Sequence, residues 1–188
     1  HADDDTIAMA SSRRNADIPL AVARMVSRAH RESDGDILVF LPGQAEIQKV
    51  TDLLGDSLLP TVVMPLYGNL SPEAQHRAIA PSAEGKRKVV LATPVAETSI
   101  TIEGVRVVVD AGLCRRLVFN ARSGLSHLDT VAISKDMMTQ RTGRAGRVAA
   151  GTCYRLWTVA TENQLADQRR PEIEEADLAP MLLQVAAF

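Results

Sequence analysis

The chain has few aromatic residues, few cysteines and no long hydrophobic run, and each shortage narrows what it can be. Aromatic side chains make up 3% of the 188 residues, so any core has to be aliphatic. Cys114 and Cys153 are isolated in sequence and the four histidines are scattered, which indicates neither a disulfide framework nor a metal site and favours a reducing, cytoplasmic setting. The apolar stretches are far shorter than the ~20 residues of a membrane span, so we expect no membrane association.

Two features that an independent ATPase requires are also missing. The phosphate-binding pattern G-x-x-x-x-G-K-[ST] does not occur, and residues 84–88 (EGKRK) lack both its first glycine and its hydroxyl residue. No D-E-x-H or D-E-x-D cluster supplies ligands for a magnesium ion. We therefore expect that this chain does not hydrolyse ATP by itself.

The charge that is present is unevenly distributed. The net charge is −2, yet residues 101–150 contain eight basic and four acidic side chains, a local net charge of +4. Because salt screens distant charges, a local basic face can attract a polyanion although the whole chain is slightly acidic. The total charge does not exclude a nucleic-acid partner.

Apolar residues make up 46% of the chain, and they alternate between the strand and the helix pattern. Pro19 and Ser71 are typical of helix starts, and the run NARSG at 120–124 predicts a hairpin between about 115 and 131. This alternation predicts an α/β fold with an open, mostly parallel sheet, helices on both faces and a β-hairpin insertion. The predicted helices are 19–32, 43–56, 71–80 and 134–144 (with Ser134 as N-cap), and the predicted strands are 36–42, 61–66, 86–93, 105–112 and 151–158.

Four polar segments, three of which contain glycine, follow predicted strands. They are PGQ (42–44), YGN (67–69), ATPVAETS (92–99) and DAG (110–112). Ligands of open α/β sheets bind beyond the carboxyl ends of the strands. We therefore expect these segments to lie along one edge of the sheet and to form the ligand site.

The composition divides the chain into three parts. Residues 1–17 are polar and are expected to be a flexible N-terminal segment; residues 18–168 carry the sheet. Residues 169–188 contain an acidic linker and a new amphipathic run, which predicts the start of a following, winged-helix-like module. The alternative is a C-terminal helix that packs back on the sheet. Since the chain begins at His1, we expect a piece of a longer protein.

The segment QRTGRAGR, residues 140–147, combines three arginines with two glycines. Residues three or four apart share a helix face, so Gln140, Arg144 and Arg147 are predicted to converge on one target. Arginine presents a fork of donors that matches phosphate oxygens, and ATP hydrolysis needs such donors at the γ-phosphate. In a chain without a phosphate loop, these arginines would act across an interface, as fingers.

Four segments together resemble the motifs of DEAH-box helicases of superfamily 2, over residues 36–157. QRTGRAGR resembles motif VI, VVLATPVAETSITIEGVRVVVDAG motif V, ILVFLPGQAEI motif IV, and PLYGNLS the segment that follows it. The hairpin and GTCYRLWT look most like bacterial RNA helicases of the HrpB type. The resemblance implies the second RecA-like domain of an ATP-dependent RNA helicase.

The resemblance also implies roles for single residues. Gln140, Arg144 and Arg147 would reach the phosphates of ATP, as catalytic and nucleotide-binding residues, and Glu103 would contact the ribose. Arg141 would make structural contacts. ATP and its Mg²⁺ would be held mainly by the N-terminal RecA-like domain, which is the expected partner within the same protein.

Single-stranded RNA is the other implied partner, and it would contact backbone amides and hydroxyls. The implied RNA-binding residues are Gly43, Gly68, Thr93, Thr98 and Ser99. Amides and hydroxyls donate to phosphate without reading bases, so we expect largely sequence-independent binding.

Two positions depart from the motifs of the family, and several alternative functions remain open. Pro94 replaces the usual asparagine of motif V, and Ile79 or a neighbour stands where relatives place an aromatic residue against the adenine, which favours weak nucleotide selectivity. Arg115, Arg116 and Arg122 line the predicted hairpin, as an RNA contact or as a solvated edge. The chain would alternatively be a nucleic-acid-binding module without ATPase function, a protein-docking domain, or part of a DNA helicase.

Overall fold

A computed structural model describes residues 17–82, 85–97, 100–120, 123–146, 150–169, 171 and 179–186. The predicted flexible segment 1–17 lies outside the described residues, apart from Asp17. In the part of the chain that the structure describes, no helix is long and apolar enough to cross a membrane.

The fold is built on a five-stranded sheet in the order β2-β3-β1-β4-β7, and every neighbouring pair in it is parallel. Strands β5 and β6 form a separate antiparallel hairpin in which Leu113 pairs with Ala132. The predicted α/β class, the open parallel sheet and the hairpin insertion are therefore confirmed. The strands are β1 (Asp36–Phe40), β2 (Val62–Leu66), β3 (Lys88–Ala92), β4 (Val105–Asp110), β5 (Leu113–Asn120), β6 (Leu125–Ala132) and β7 (Thr152–Arg155).

The helices begin where the sequence supplies proline or a capping residue. Ser71 accepts a hydrogen bond from the backbone N–H of Ala74 at 3.3 Å, as a helix N-cap does. Ser134 occupies the N-cap position of the helix before motif VI, but its hydroxyl donates to Asp136 instead of capping the helix. The helices are α1 (Ile18–Glu32), α2 (Gln44–Leu54), α3 (Pro72–Ile79), α4 (Lys135–Thr142), α5 (Val159–Asn163) and α6 (Ala179–Ala186), with a 3₁₀ turn at Pro94–Ala96.

The three central strands of the sheet, β1, β3 and β4, bury both faces, and alternate residues enter two separate cores. Ile37 and Val39 of β1 join the core beneath α1 and α2, whereas Leu38 and Phe40 join the core that contains Ala78 of α3. Such two-sided burial explains why the strands are almost continuously apolar in sequence. The polar loops at the strand ends are therefore attached to a sheet that is packed against an aliphatic core on each face.

Candidate nucleotide and nucleic-acid interface

Three of the residues predicted to contact RNA lie at one edge of the sheet. Gly43, Gly68 and Thr93 follow the carboxyl ends of β1, β2 and β3, which are neighbours in the order β2-β3-β1. The loops are tied to the sheet, since the N–H of Thr93 donates to the carbonyl of Leu66 at 3.1 Å and that of Leu41 to Ala92 at 2.8 Å. The predicted clustering of these loops at one edge is confirmed. Thr98 and Ser99 lie outside the described residues.

Gly43 is in contact with a side chain from the hairpin. The guanidinium of Arg115, on β5, lies so close that a Cβ atom at Gly43 would stand 2.6 Å from Arg115 Nε. Glu46 Oε2 pairs with this guanidinium at 3.4 Å. Arg115, at the base of the hairpin, thus packs against Gly43 of motif IV, whereas the sequence left an RNA contact or a solvated edge open for this arginine. Gly68 is exposed, and its carbonyl accepts a hydrogen bond from Gln75 at 3.2 Å.

Motif V contains a buried carboxylate that sequence reasoning did not single out. Glu97 is 3% exposed and pairs with Arg141 Nε at 3.1 Å. Arg141 also pairs with Asp110 at 2.8 Å and lies over the ring of Phe40, 4.9 Å from its centroid. Glu97 and Asp110 are 44 and 31 residues away from Arg141 in sequence, so no local sequence pattern indicates these ion pairs. Arg141 is fully buried, which agrees with the structural role expected for it.

The charge of Arg141 is fixed by these partners. Burial alone would lower its pKa, but attraction from Asp110 and Glu97 and the hydrogen bonds to both outweigh that effect and raise the pKa above its ordinary value. Arg141 therefore stays charged at every pH at which the protein folds. It ties the end of β4 and motif V to α4, the helix that begins motif VI.

Arg144 does not lie on the helix face that the sequence predicted. Helix α4 ends at Thr142, and the chain continues in tight turns in which the N–H groups of Arg144 and Ala145 bond to residues three positions earlier. As a result, Gln140 is exposed while Arg144 is 6% exposed. The prediction of one shared helix face is therefore wrong beyond Thr142. Arg147 lies outside the described residues.

The guanidinium of Arg144 connects motif VI to motif V. It donates through Nε to the backbone carbonyl of Glu97 at 3.0 Å, through Nη2 to the same oxygen, and through Nη1 to the carbonyl of Ile100. Glu97 thus contacts both described arginines of motif VI, Arg141 through its carboxylate and Arg144 through its carbonyl. The segment that carries the predicted RNA contacts and the segment that carries the predicted phosphate contacts are joined directly.

Glu103 is exposed and precedes β4, at the amino edge of the sheet. Near it lies the fully buried Lys88, whose ammonium donates to the carbonyls of Ala78, Ile79 and Ala80 at the end of α3. Burial lowers the pKa of Lys88, and the charges of Asp36 and Glu103 oppose that shift. Lys88 therefore holds the end of α3, where Ile79 is the predicted contact to adenine. Its charge also interacts with that of Glu103, the predicted contact to ribose.

The hairpin carries exposed cations and little buried surface. Arg116 pairs in register with Asp129, and both are exposed. Arg122 lies outside the described residues. Among the residues that the structure describes, no group of three or more histidine, cysteine, aspartate or glutamate side chains is arranged to hold a metal ion.

Comparison with known proteins identifies the family. Residues 19–149 match the family described as helicase conserved C-terminal domain, and because this is more than half of the chain, the chain belongs to that family. The chain is similar to the ATP-dependent RNA helicase HrpB of Escherichia coli strain K12, with 44% identity over 166 residues. It is also similar to the pre-mRNA-splicing factor ATP-dependent RNA helicase prp22 of Schizosaccharomyces pombe, with 39% identity over 189 residues.

Solved structures indicate the same family. A crystal structure of the E. coli DExH-box NTPase HrpB superposes with a TM-score of 0.84 at 42% identity and covers 93% of this chain and 21% of that one. A second crystal structure, described as the E. coli DEAH/RHA helicase HrpB, has the same score and identity and covers 92% of this chain. The predicted resemblance to DEAH-box helicases, and to HrpB, is confirmed.

The similarity is to a small part of each relative. The match to HrpB includes 88% of this chain but only 20% of HrpB. The match to prp22 includes 96% of this chain but only 16% of prp22. The activity of a longer protein that contains this domain is therefore a matter for proposal.

Proposed function

We propose that this chain is the C-terminal half of the motor of an ATP-dependent RNA helicase. The observation that carries the proposal is the direct connection of motif V to motif VI, through the hydrogen bonds from Arg144 to Glu97 and Ile100. A motor needs such a connection, because the hydrolysis of ATP at one site has to change the grip on RNA at another. Membership of the helicase family supports the same function.

ATP would be held between this domain and a preceding RecA-like domain of the same protein. Gln140, Arg144 and Arg147 would contact its phosphates and Glu103 its ribose. The donor chemistry fits, since a guanidinium bound to neutral carbonyls, as that of Arg144 is, suits an exchange to phosphate oxygens. ATP would supply the free energy of the cycle. Its Mg²⁺ would likewise be held mainly by the preceding domain.

Single-stranded RNA would lie across the carboxyl edge of the sheet, held by Gly43, Gly68, Thr93, Thr98 and Ser99. The first three lie on adjacent strands, as a chain of phosphates would require. Residues 169–188 would form a linker and the start of the next module, which the exposed Leu182, Leu183 and Val185 support. A cytoplasmic location is part of the proposal and is supported by two cysteines that form no disulfide.

ATP turnover of the full-length protein, measured alone, with single-stranded RNA and with single-stranded DNA of the same sequence, tests this function. We expect RNA to stimulate turnover more than DNA does. Stimulation by DNA alone would indicate a DNA helicase. Binding of RNA without any ATP hydrolysis would indicate a binding module, and binding of neither RNA nor nucleotide would favour a protein-docking domain.

A further inference from the structure

We propose that Arg169 is a positioning residue that holds motif V in place for the arginines of motif VI, and that it does so through Glu97. This inference rests on the proposed function. Arg169 Nη2 lies 2.8 Å from Glu97 Oε1, while Arg141 Nε lies 3.1 Å from Glu97 Oε2. Each carboxylate oxygen of this buried glutamate is thus committed to a different arginine.

The segment that carries Arg169 is firmly attached to the start of α4. The backbone N–H groups of Lys135 and Asp136 donate to the carbonyls of Ala166 and Asp167 at 2.9 and 3.2 Å. Asp136 in turn accepts from the backbone N–H of Arg169 and from its Nε, both at 3.2 Å. Arg169 therefore spans from the first turn of the motif VI helix to the centre of motif V.

The charges explain why this contact matters. Glu97 and Asp110 are buried carboxylates that share Arg141, so these three groups alone carry one excess negative charge. Arg169 supplies the second positive charge, and its own side chain is 50% exposed, so it needs no burial to do so. Loss of Arg169 would leave a buried carboxylate oxygen without its cation, next to the carbonyl that holds Arg144.

A free Oε1 would then compete for Arg144. A hydrogen bond between guanidinium and carboxylate is stronger than one between guanidinium and a neutral carbonyl. By keeping Oε1 occupied, Arg169 leaves the bonds from Arg144 to the carbonyls of Glu97 and Ile100 undisturbed. Arg169 follows the last strand of the sheet, so it also connects motif V to the part of the chain that leads to α6.

The test compares Arg169→Gln with Lys135→Gln in the full-length protein. Lys135→Gln is the matched control. It breaks the ion pair between Lys135 and Asp167 (2.7 Å), which also joins the start of α4 to the segment that carries Arg169, but both side chains of this pair are exposed. We expect Arg169→Gln to lower kcat for RNA-stimulated ATP turnover by about 2- to 30-fold, the usual range for residues that couple two sites. KM for ATP and the affinity for RNA should stay close to wild type, and Arg169→Lys should recover part of kcat.

The route through Glu97 is tested by combining Arg169→Gln with Glu97→Gln. If Arg169 acts on Glu97, the double variant should be no slower than Glu97→Gln alone, since the two losses share one contact. Losses in kcat that multiply would overturn this route, and equal effects of Arg169→Gln and Lys135→Gln would overturn the proposal.

Hydrogen exchange gives a readout that does not depend on activity. The amides of Ala96 and Glu97 bond within the motif V turn, at 3.2 and 2.8 Å. Arg169→Gln should speed their exchange relative to Lys135→Gln, and unchanged protection would contradict the inference. If the wild-type protein shows no ATP turnover, the proposed function fails, whereas the exchange rates still decide whether Arg169 positions motif V.

Discussion

At the scale of single residues, Arg141 is the most strongly constrained side chain of the site. It is fully buried, and it neutralises Glu97 and Asp110, which are also buried. Removal of one member of a buried ion pair leaves an uncompensated charge, which costs more than the pair contributes. Arg141, which belongs to the arginine-rich segment QRTGRAGR, is therefore a core residue.

Arg141→Met is expected to lower the free energy of unfolding by about 3–5 kcal/mol, because the buried Asp110 loses its partner cation and the buried Glu97 loses one of its two. Urea unfolding of the variant and the wild type measures this loss. Arg28→Met is the control, since Arg28 pairs with Glu32 on the exposed face of α1 and should change stability by less than about 1 kcal/mol. A small effect of Arg141→Met would show that the buried cluster contributes little.

His30 gives a prediction for the dependence of stability on pH. Burial, with the nearby charges of Arg87 and Arg31, lowers the pKa of His30, and its Nε2 lies 2.7 Å from Thr61 Oγ1. The unfolded chain then binds a proton at a higher pH than the folded chain does. Stability should therefore fall as the pH drops through the ordinary histidine pKa of about 6.5, and level off below the folded value.

Urea unfolding between pH 8 and pH 5 measures this dependence, with His30→Gln as the comparison. The wild type should lose more stability than His30→Gln over this range, because only the wild type carries the titrating group. Parallel pH curves for the two proteins would contradict the prediction.

The residues that sequence reasoning missed all make contacts that no local sequence pattern indicates. Glu97 and Arg169 contact each other across 72 positions, and Lys88 contacts the end of α3 from the next strand. Their types are ordinary for a loop, a linker and a strand end, so neither composition nor spacing marks them. The topology alone brings them together. The placement of the loops that contain Gly43, Gly68 and Thr93 was predictable, because each loop follows an apolar strand.

At the scale of elements, the sheet strands, the hairpin and helices α1 to α4 were predicted from the sequence, whereas the short helix α5 (Val159–Asn163) was not, and two details of α4 also differ. Ser134 was expected to cap α4, but its hydroxyl donates to Asp136, which also binds Arg169. Helix α4 was expected to continue to Arg144, but it ends at Thr142, before Gly143. In the first case a local bond to Asp136 replaces the cap, and in the second the chain leaves the helix before Arg144, whose guanidinium bonds to the carbonyls of Glu97 and Ile100.

The turn after α4 is tightly packed against the chain before β7. A Cβ atom at Gly151 would overlap the carbonyl oxygen of Ala145 and stand 2.6 Å from the carbonyl oxygen of Arg106. Because these are backbone atoms, the alanine can be accommodated only if the motif VI turn or β4 moves. Gly151 therefore fixes the position of the turn that contains Arg144.

Gly151→Ala is expected to destabilise the protein by about 1–3 kcal/mol, as overpacking does. Gly146→Ala is the matched control, since a Cβ atom there meets nothing within 4 Å of the described residues, and its effect on stability should stay within about 0.5 kcal/mol. Thermal and urea unfolding measure both variants. Equal stabilities of the two would show that the turn adjusts without cost.

At the scale of the whole molecule, a domain of small net charge (−2) brings the groups that we propose to bind ligands together on part of its surface. The five parallel strands place motif IV, the YGN segment and motif V on one edge, and α4 brings motif VI against motif V. The order of these motifs was readable from the sequence, and so was the class of fold. The burial of Arg144 was not, because it depends on where α4 ends.

The central claim is that Arg144 and Arg147 act on the phosphates of ATP. RNA-stimulated ATP turnover of the full-length protein, with Arg144→Lys and Arg147→Lys beside wild type and Arg28→Lys as the control, tests it most directly. We predict that each motif VI variant loses kcat by a factor of about 10³ or more with RNA affinity nearly unchanged, and that Arg144→Lys also lowers the unfolding temperature, because lysine cannot replace all the donors to the carbonyls of Glu97 and Ile100. Near-normal turnover in both variants would contradict the claim and leave QRTGRAGR as a structural and basic segment.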